Sequence, residues 1–179
     1  DKKLLIKMAL PAFIGSMGGA QLASHVPTKQ MRVVVLIALI VIAIYTALNP
    51  KIGHEESAKP SKWIPSIAGL AIGFYDGIFG PGTGTFLMAV LVGALGYSFL
   101  SASAIAKFTN VATNLAALII FAKHGAILWG IGIALAISNV IGSTIGSHMA
   151  IKGGSPLVRK VFLLMTTLLI AKVGYDVIK

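Results

Sequence analysis

Apolar runs of membrane-spanning length recur along this chain, and no other feature narrows its possible folds so much. The run "MRVVVLIALIVIAIYTAL" (31–48) carries a single charge, and comparable runs cover roughly 4–24, 101–123, 126–151 and 157–178. About 20 apolar residues in a helix cross the ~30 Å hydrocarbon core of a bilayer. The chain is 56% hydrophobic and 11% charged, with a mean hydropathy of +0.90, whereas soluble domains are roughly a quarter charged. A soluble domain is excluded. The expected fold is an all-α polytopic membrane protein, a helical bundle with residues 1–179 as a single transmembrane domain.

Two shorter apolar pieces, 64–79 and 85–96, read as one interrupted segment, 64–95. Before them lies the polar loop 49–63, "NPKIGHEESAKPSKW". The net charge of +10 comes from lysines and arginines set mostly in short connections, the pattern made by lipid headgroups and the positive-inside rule. The partner it implies is the lipid bilayer and no nucleic acid. Basic residues are spread over both sets of loops, so charge does not orient the chain. Without cysteine there are no disulfides or thiolate metal sites, and compartment is left open. The opening "DKKLLIKMALPAF" has neither an initiator methionine nor a clear cleavage site, and looks like the middle of a longer protein.

An internal repeat is visible. "IGSMGGAQLA" (14–23) and "IGSTIGSHMA" (141–150) share Ile, Gly, Ser, Gly and Ala at matching places. Each is followed by a loop with proline (Pro27, Pro156) and a long aliphatic helix ending near a tyrosine (Tyr45, Tyr175). On this basis 1–48 is expected to hold the last two helices of a first repeat, either partial or missing its start, and 64–179 a second repeat. The pairs Gly15/Gly19 and Gly142/Gly146 have the spacing that lets membrane helices approach closely, since lipid offers no hydrophobic drive for association.

The interruption, "GFYDGIFGPGTGTF" (73–86), holds the chemistry. Pro81 cannot donate a hydrogen bond, and glycine weakens a helix by about 1 kcal/mol relative to alanine. Irregular backbone at membrane depth is tolerated only where protein buries it or a wet cavity meets it. Broken helices present the N-terminus of their second half, where N–H groups and the helix dipole favour an anion. Gly80, Gly82, Thr83, Gly84 and Thr85 are therefore candidates for an anion cradle; a structural kink is the alternative. Asp76 is the one carboxylate inside an apolar segment, and an intramembrane ionisable group is a functional hypothesis by default. Three roles stay open to it: carrying a proton, pairing with a lysine, or accepting hydrogen bonds from the break. Ser103, Lys107, Asn110 and Asn114 fall on one helical face, with Lys107 the candidate cation; its alternative is snorkelling to an interface. The four histidines lack metal-site spacing, and "GPGTGT" lacks the lysine and preceding strand of a phosphate loop. No enzyme or cofactor motif is complete.

"GFYDGIFGPGTGTFL", followed by "SASAIAKFTNVATNLAALIIF", resembles the second-half signature of the TauE/SafE family of sulfite and organosulfonate exporters. "ALPAFIGSMGGAQLASHVP" is similar to that family's region between its two signatures. Family members carry two related halves, each with its own Gly-rich signature; only the later one occurs here. The resemblance implies a bacterial inner-membrane secondary transporter of small sulfur-containing anions, working by alternating access around a midplane site. Gly82 to Thr85, Lys107, Asn110 and Asn114 would bind the anion, with Asp76 fixing the break or exchanging a proton. A non-transporting assembly subunit is the runner-up, and a homo-oligomer stays open. If 64–95 crosses once, the two repeat motifs run in the same direction; if it is a re-entrant hairpin, they run oppositely, as in inverted-repeat carriers.

Overall fold

The computed structural model describes residues 2–25, 28–57 and 61–178. Helix α1 is Lys2–Leu22, ending in a 3-10 turn at Ala23–His25; α2 is Thr28–Leu48 and α3 Ile64–Ile78. Helix α4, Thr83–Ala89, is prolonged by a π-helical stretch, Val90–Ala94, and α5 is Phe99–Lys123. The last helical run, Trp129–Ile178, turns at Gly154 (φ 62°), which divides it into α6 (129–153) and α7 (155–178). That left-handed conformation costs glycine little, and Pro156 just beyond it suits the first turn of a new helix. No strand occurs among the described residues. The chain is an all-α integral membrane protein.

Two backbones in contact form the centre of the molecule. A Cβ placed on Gly69, Gly73 or Gly77 of α3 would stand 2.3, 2.2 or 2.2 Å from the carbonyl oxygens of Met8, Ala12 and Ser16 on α1. In return, Gly15 and Gly19 of α1 would meet the Leu70 and Phe74 carbonyls at 2.3 and 2.1 Å. Contacts advance by four residues on both helices in the same sense, so α1 and α3 run parallel. Small residues alone permit such an approach. The second glycine pair behaves differently: a methyl group at Gly142 or Gly146 would meet nothing within 4 Å.

Segment 64–95 enters and leaves at one end of the molecule. The Ser57 N–H donates to the Gly96 carbonyl (2.9 Å) and the Phe99 N–H to the Gly53 carbonyl (2.8 Å), so the residues flanking the hairpin touch. Ser66 Oγ, at the start of α3, donates to the Lys7 carbonyl near the start of α1 (3.0 Å). Thus α1, α3 and α5 all lead away from this end, and α4 returns to it. Helix α6 runs against α5, because Lys107 bonds to Ser143 and Ser147 while the Leu100 N–H reaches Ser155 Oγ. Helix α7 then runs against α2: Arg159 meets the Thr46 carbonyl at one end and Arg32 the Asp176 carbonyl at the other. The two copies of the ten-residue motif, in α1 and α6, therefore run in opposite directions.

The buried core lies where α1, α4 and α5 meet, around Met8, Leu87, Leu91, Phe99 and Ala102. On α5 the buried positions Phe99, Ala102, Ile105, Ala106, Thr109, Thr113, Ala116 and Ile120 form one stripe. Outside it, large apolar side chains such as Ile37, Val111, Ile131 and Leu168 are exposed. In water such a surface would drive association; in hydrocarbon it is the solvated side. Among the described residues three helical stretches, Gln30–Leu48, Phe99–Lys123 and Trp129–Ile178, are long and apolar enough to span.

Candidate functional site

The break between α3 and α4 is a tight turn. Gly80 (φ 83°) and Gly82 (φ 91°) both adopt left-handed backbone on either side of Pro81, which an L side chain resists. The Phe79 N–H closes back on the Tyr75 carbonyl (2.9 Å), and the Thr83 N–H on that of Gly80 (3.2 Å). Helical order therefore resumes at Thr83, two residues before the apolar piece begins. The Thr83 hydroxyl lies 2.6 Å from Asp76 Oδ1 and 2.7 Å from the Gly80 carbonyl. The Tyr75 hydroxyl donates to the Pro81 carbonyl. Asp76 thus joins the last turn of α3 to the first of α4. Its partner is Thr83 and not Lys107.

Lys107 lies two turns into α5 and reaches across to α6. Its ammonium donates to Ser147 Oγ (2.7 Å) and to the Ser143 carbonyl (3.1 Å). Both acceptors are neutral. Among the described residues no carboxylate lies within ion-pair distance of Lys107; the Lys172–Asp176 pair is far along α7. One turn on, Asn110 holds its Nδ2 3.5 Å from the place a Cβ would take on Gly84. Its Oδ1 is buried without a partner.

These groups meet at a cavity of about 330 Å³ whose polar wall is Gly84, Thr85, Ser103, Lys107 and Asn110; Val158, Phe162 and Met165 close the other side. A second cavity, of about 520 Å³, shares Ser103 and Lys107 and extends to Gly146 and Ser147 of α6. Of the residues singled out in sequence, Gly84, Thr85, Ser103, Lys107 and Asn110 come together. Gly80, Gly82, Thr83 and Asp76 form the turn behind them, where Gly82 faces the side chains of Leu39 and Leu169. Asn114 is exposed one turn further along and lines neither cavity. Ser143 and Ser147 were not singled out. Their signal was available as a hydroxyl pair four residues apart, facing the same way, in the second copy of the repeat.

A larger cavity, about 680 Å³, lies against the 50–57 loop and is lined by His54, Glu55 and Glu56. Its carboxylates suit an anion poorly. Arg159 fixes this loop by donating to the Thr46 carbonyl (2.6 Å), the Asn49 carbonyl (3.2 Å) and the Pro50 carbonyl at the end of α2. No cluster able to hold a metal ion occurs among the described residues.

The fold and the site together describe an all-α membrane protein whose glycine-rich helical hairpin sets its returning helix beside Lys107. The chain belongs to the Sulfite exporter TauE/SafE family, whose model matches residues 1–173. It is similar to "Probable membrane transporter protein YfcA" of Escherichia coli (strain K12), with 34% identity over 178 residues, 98% of this chain and 65% of the relative. It is also similar to "Probable membrane transporter protein ORF9" of Sinorhizobium sp (33%; 96% and 66%). A third relative, the "Probable membrane transporter protein" of Haemophilus influenzae, is 31% identical (92% and 65%). The chain thus spans just under two thirds of these relatives. No solved structure matches it.

Proposed function

We propose that this chain provides the substrate site of a bacterial inner-membrane secondary transporter for small anions, with sulfite and organosulfonates as the substrate class. The observation that carries this is the Lys107 ammonium: a cation among apolar helices, held by neutral acceptors and bordering a cavity with further polar groups. A charge in hydrocarbon is costly, and such groups mark substrate paths; an anion would supply the missing countercharge. Thr85, Ser103 and Asn110 would orient its oxygens, and Gly84 leaves room beside the backbone. The family and the names of the relatives support transport.

Alternating access would expose this site to each side in turn. With a negative interior, an anion leaving the cell moves down the potential by about 2.3 kcal/mol per charge per 100 mV. Export therefore needs no coupling ion, whereas uptake would.

The test is thermal stability of the purified protein in detergent with sulfite, sulfoacetate, thiosulfate, sulfate or chloride. A ligand at 100 times its dissociation constant stabilises by about 2.7 kcal/mol. Stabilisation by a sulfur anion, absent in Lys107→Ala, is expected. A well-folded protein indifferent to all five anions would overturn the proposal.

A further inference from the structure

We infer that Ser147 is a positioning residue for Lys107, fixing the ammonium at the wall between the two cavities; this rests on the anion-site proposal above. An ammonium has three donors. Two are taken by α6, through Ser147 Oγ at 2.7 Å and the Ser143 carbonyl at 3.1 Å, and the third is left for a ligand. The Ser147 hydroxyl donates its own proton to the same Ser143 carbonyl (2.8 Å). It therefore turns lone pairs toward Lys107 and acts there only as an acceptor. Lysine is a point charge on a flexible four-carbon stem that tends to snorkel toward water. Two neutral acceptors on a neighbouring helix hold it in place without cancelling its charge.

Geometry around the pair fits that role. Lys107 and Ser103 border both cavities, whereas Ser147 borders only the larger, so Ser147 grips Lys107 from the side away from Asn110 and Thr85. The repeat provides an internal comparison. The place of Ser147 in the first copy is Ala20, which is buried in α1. Both copies are tied to α5, the first through Ser16 Oγ and the Thr113 carbonyl (2.7 Å). Helix association at that position needs no hydroxyl. The second copy has one, and it meets the cation.

The experiment is sulfite binding by isothermal titration calorimetry at fixed ionic strength on the purified protein and its Lys107→Ala, Ser147→Ala, Ser147→Thr and Ser138→Ala variants. Ser138 is the control, a hydroxyl of the same helix that donates only to the Ala134 carbonyl. Ser147→Ala is expected to weaken binding about tenfold, the scale of one hydrogen bond to a charged group. Ser147→Thr, which keeps the acceptor, should recover most of that loss, and Ser138→Ala should bind as the unaltered protein does. Unchanged affinity in Ser147→Ala beside lost binding in Lys107→Ala would overturn the positioning role and leave the anion site standing. Equal losses in Ser147→Ala and Ser138→Ala, or no recovery with threonine, would also overturn it. No sulfite binding by the unaltered protein, or undiminished binding by Lys107→Ala, would remove the anion site and this inference together.

Discussion

At the scale of single residues, the bond between Thr83 and Asp76 decides whether the turn at the tip of the hairpin closes. The two are seven positions apart, and nothing but the Gly80–Pro81–Gly82 turn brings them within 2.6 Å. Thr83→Val keeps the shape of the side chain and removes the hydroxyl, leaving a half-buried carboxylate oxygen without its donor. Unfolding in detergent, followed by circular dichroism, should show a loss of about 1–3 kcal/mol, and Thr83→Ser should recover most of it. At the loop end, Tyr97 has its phenol pushed above the ordinary value of 10.0, first by burial and then by the Glu56 carboxylate. A raised folded value means that its stabilising effect is complete below pH 10 and declines as pH rises beyond it. Stability measured against pH should therefore fall more steeply above pH 10 in the unaltered protein than in Tyr97→Phe. Sequence left three roles open for Asp76, because a carboxylate in an apolar run looks the same whether it meets a lysine, a proton or a hydroxyl. The folded turn places the Thr83 hydroxyl beside the Asp76 carboxylate.

At the scale of elements, glycine spacing separates into two physical situations that look identical in sequence. Gly73→Ala would press a methyl group into the Ala12 backbone and push α1 from α3, an overpacking cost of about 1–3 kcal/mol. Gly142→Ala points into open space in this chain and should leave its stability within about 1 kcal/mol, with any change favouring the helix through alanine's propensity. Comparing the two variants by thermal unfolding of the 179-residue chain checks the parallel seam directly. Element positions were largely legible: the apolar pieces 64–79 and 85–96 correspond to α3 and to α4 with its π-helical extension. On α5 a 3.6-residue period places Ser103, Lys107, Asn110 and Asn114 on one face, and the first three border the smaller cavity beside α4 while Asn114 does not. Ser143 and Ser147 were not legible, because serines in membrane helices commonly bond their own carbonyls four residues back, as Ser138 and Ser147 do here. Their second partner lies 36 to 40 positions away, beyond any local pattern.

At the scale of the whole molecule, hydropathy has no direction, so it could not say whether 64–95 crosses or turns back. The hydrogen bond from Ser57 to Gly96 joins two residues that no periodicity relates. Arg159 does similar long-range work 113 positions from Thr46, gathering the last carbonyls of α2 against the start of α7. Arg159→Ala should destabilise the chain by about 1–3 kcal/mol and expose the 49–57 loop to protease, with cleavage there rising before cleavage elsewhere. Arg159→Lys, with one donor group in place of the guanidinium fork, should fall between the two.

The parallel seam also bears on how the protein is made. Lys7 meets Ser66 59 positions later, and Ser16 meets Thr113 after 97. At roughly 5–20 residues per second, α1 waits in the bilayer for about 3 to 20 seconds before synthesis supplies those partners. Its glycine face stays uncovered in that interval, open to any other small-residue helix nearby. The hazard for this fold during biogenesis is therefore capture by the wrong neighbour, and slowed translation between α2 and α5 would lengthen the window in which it can happen.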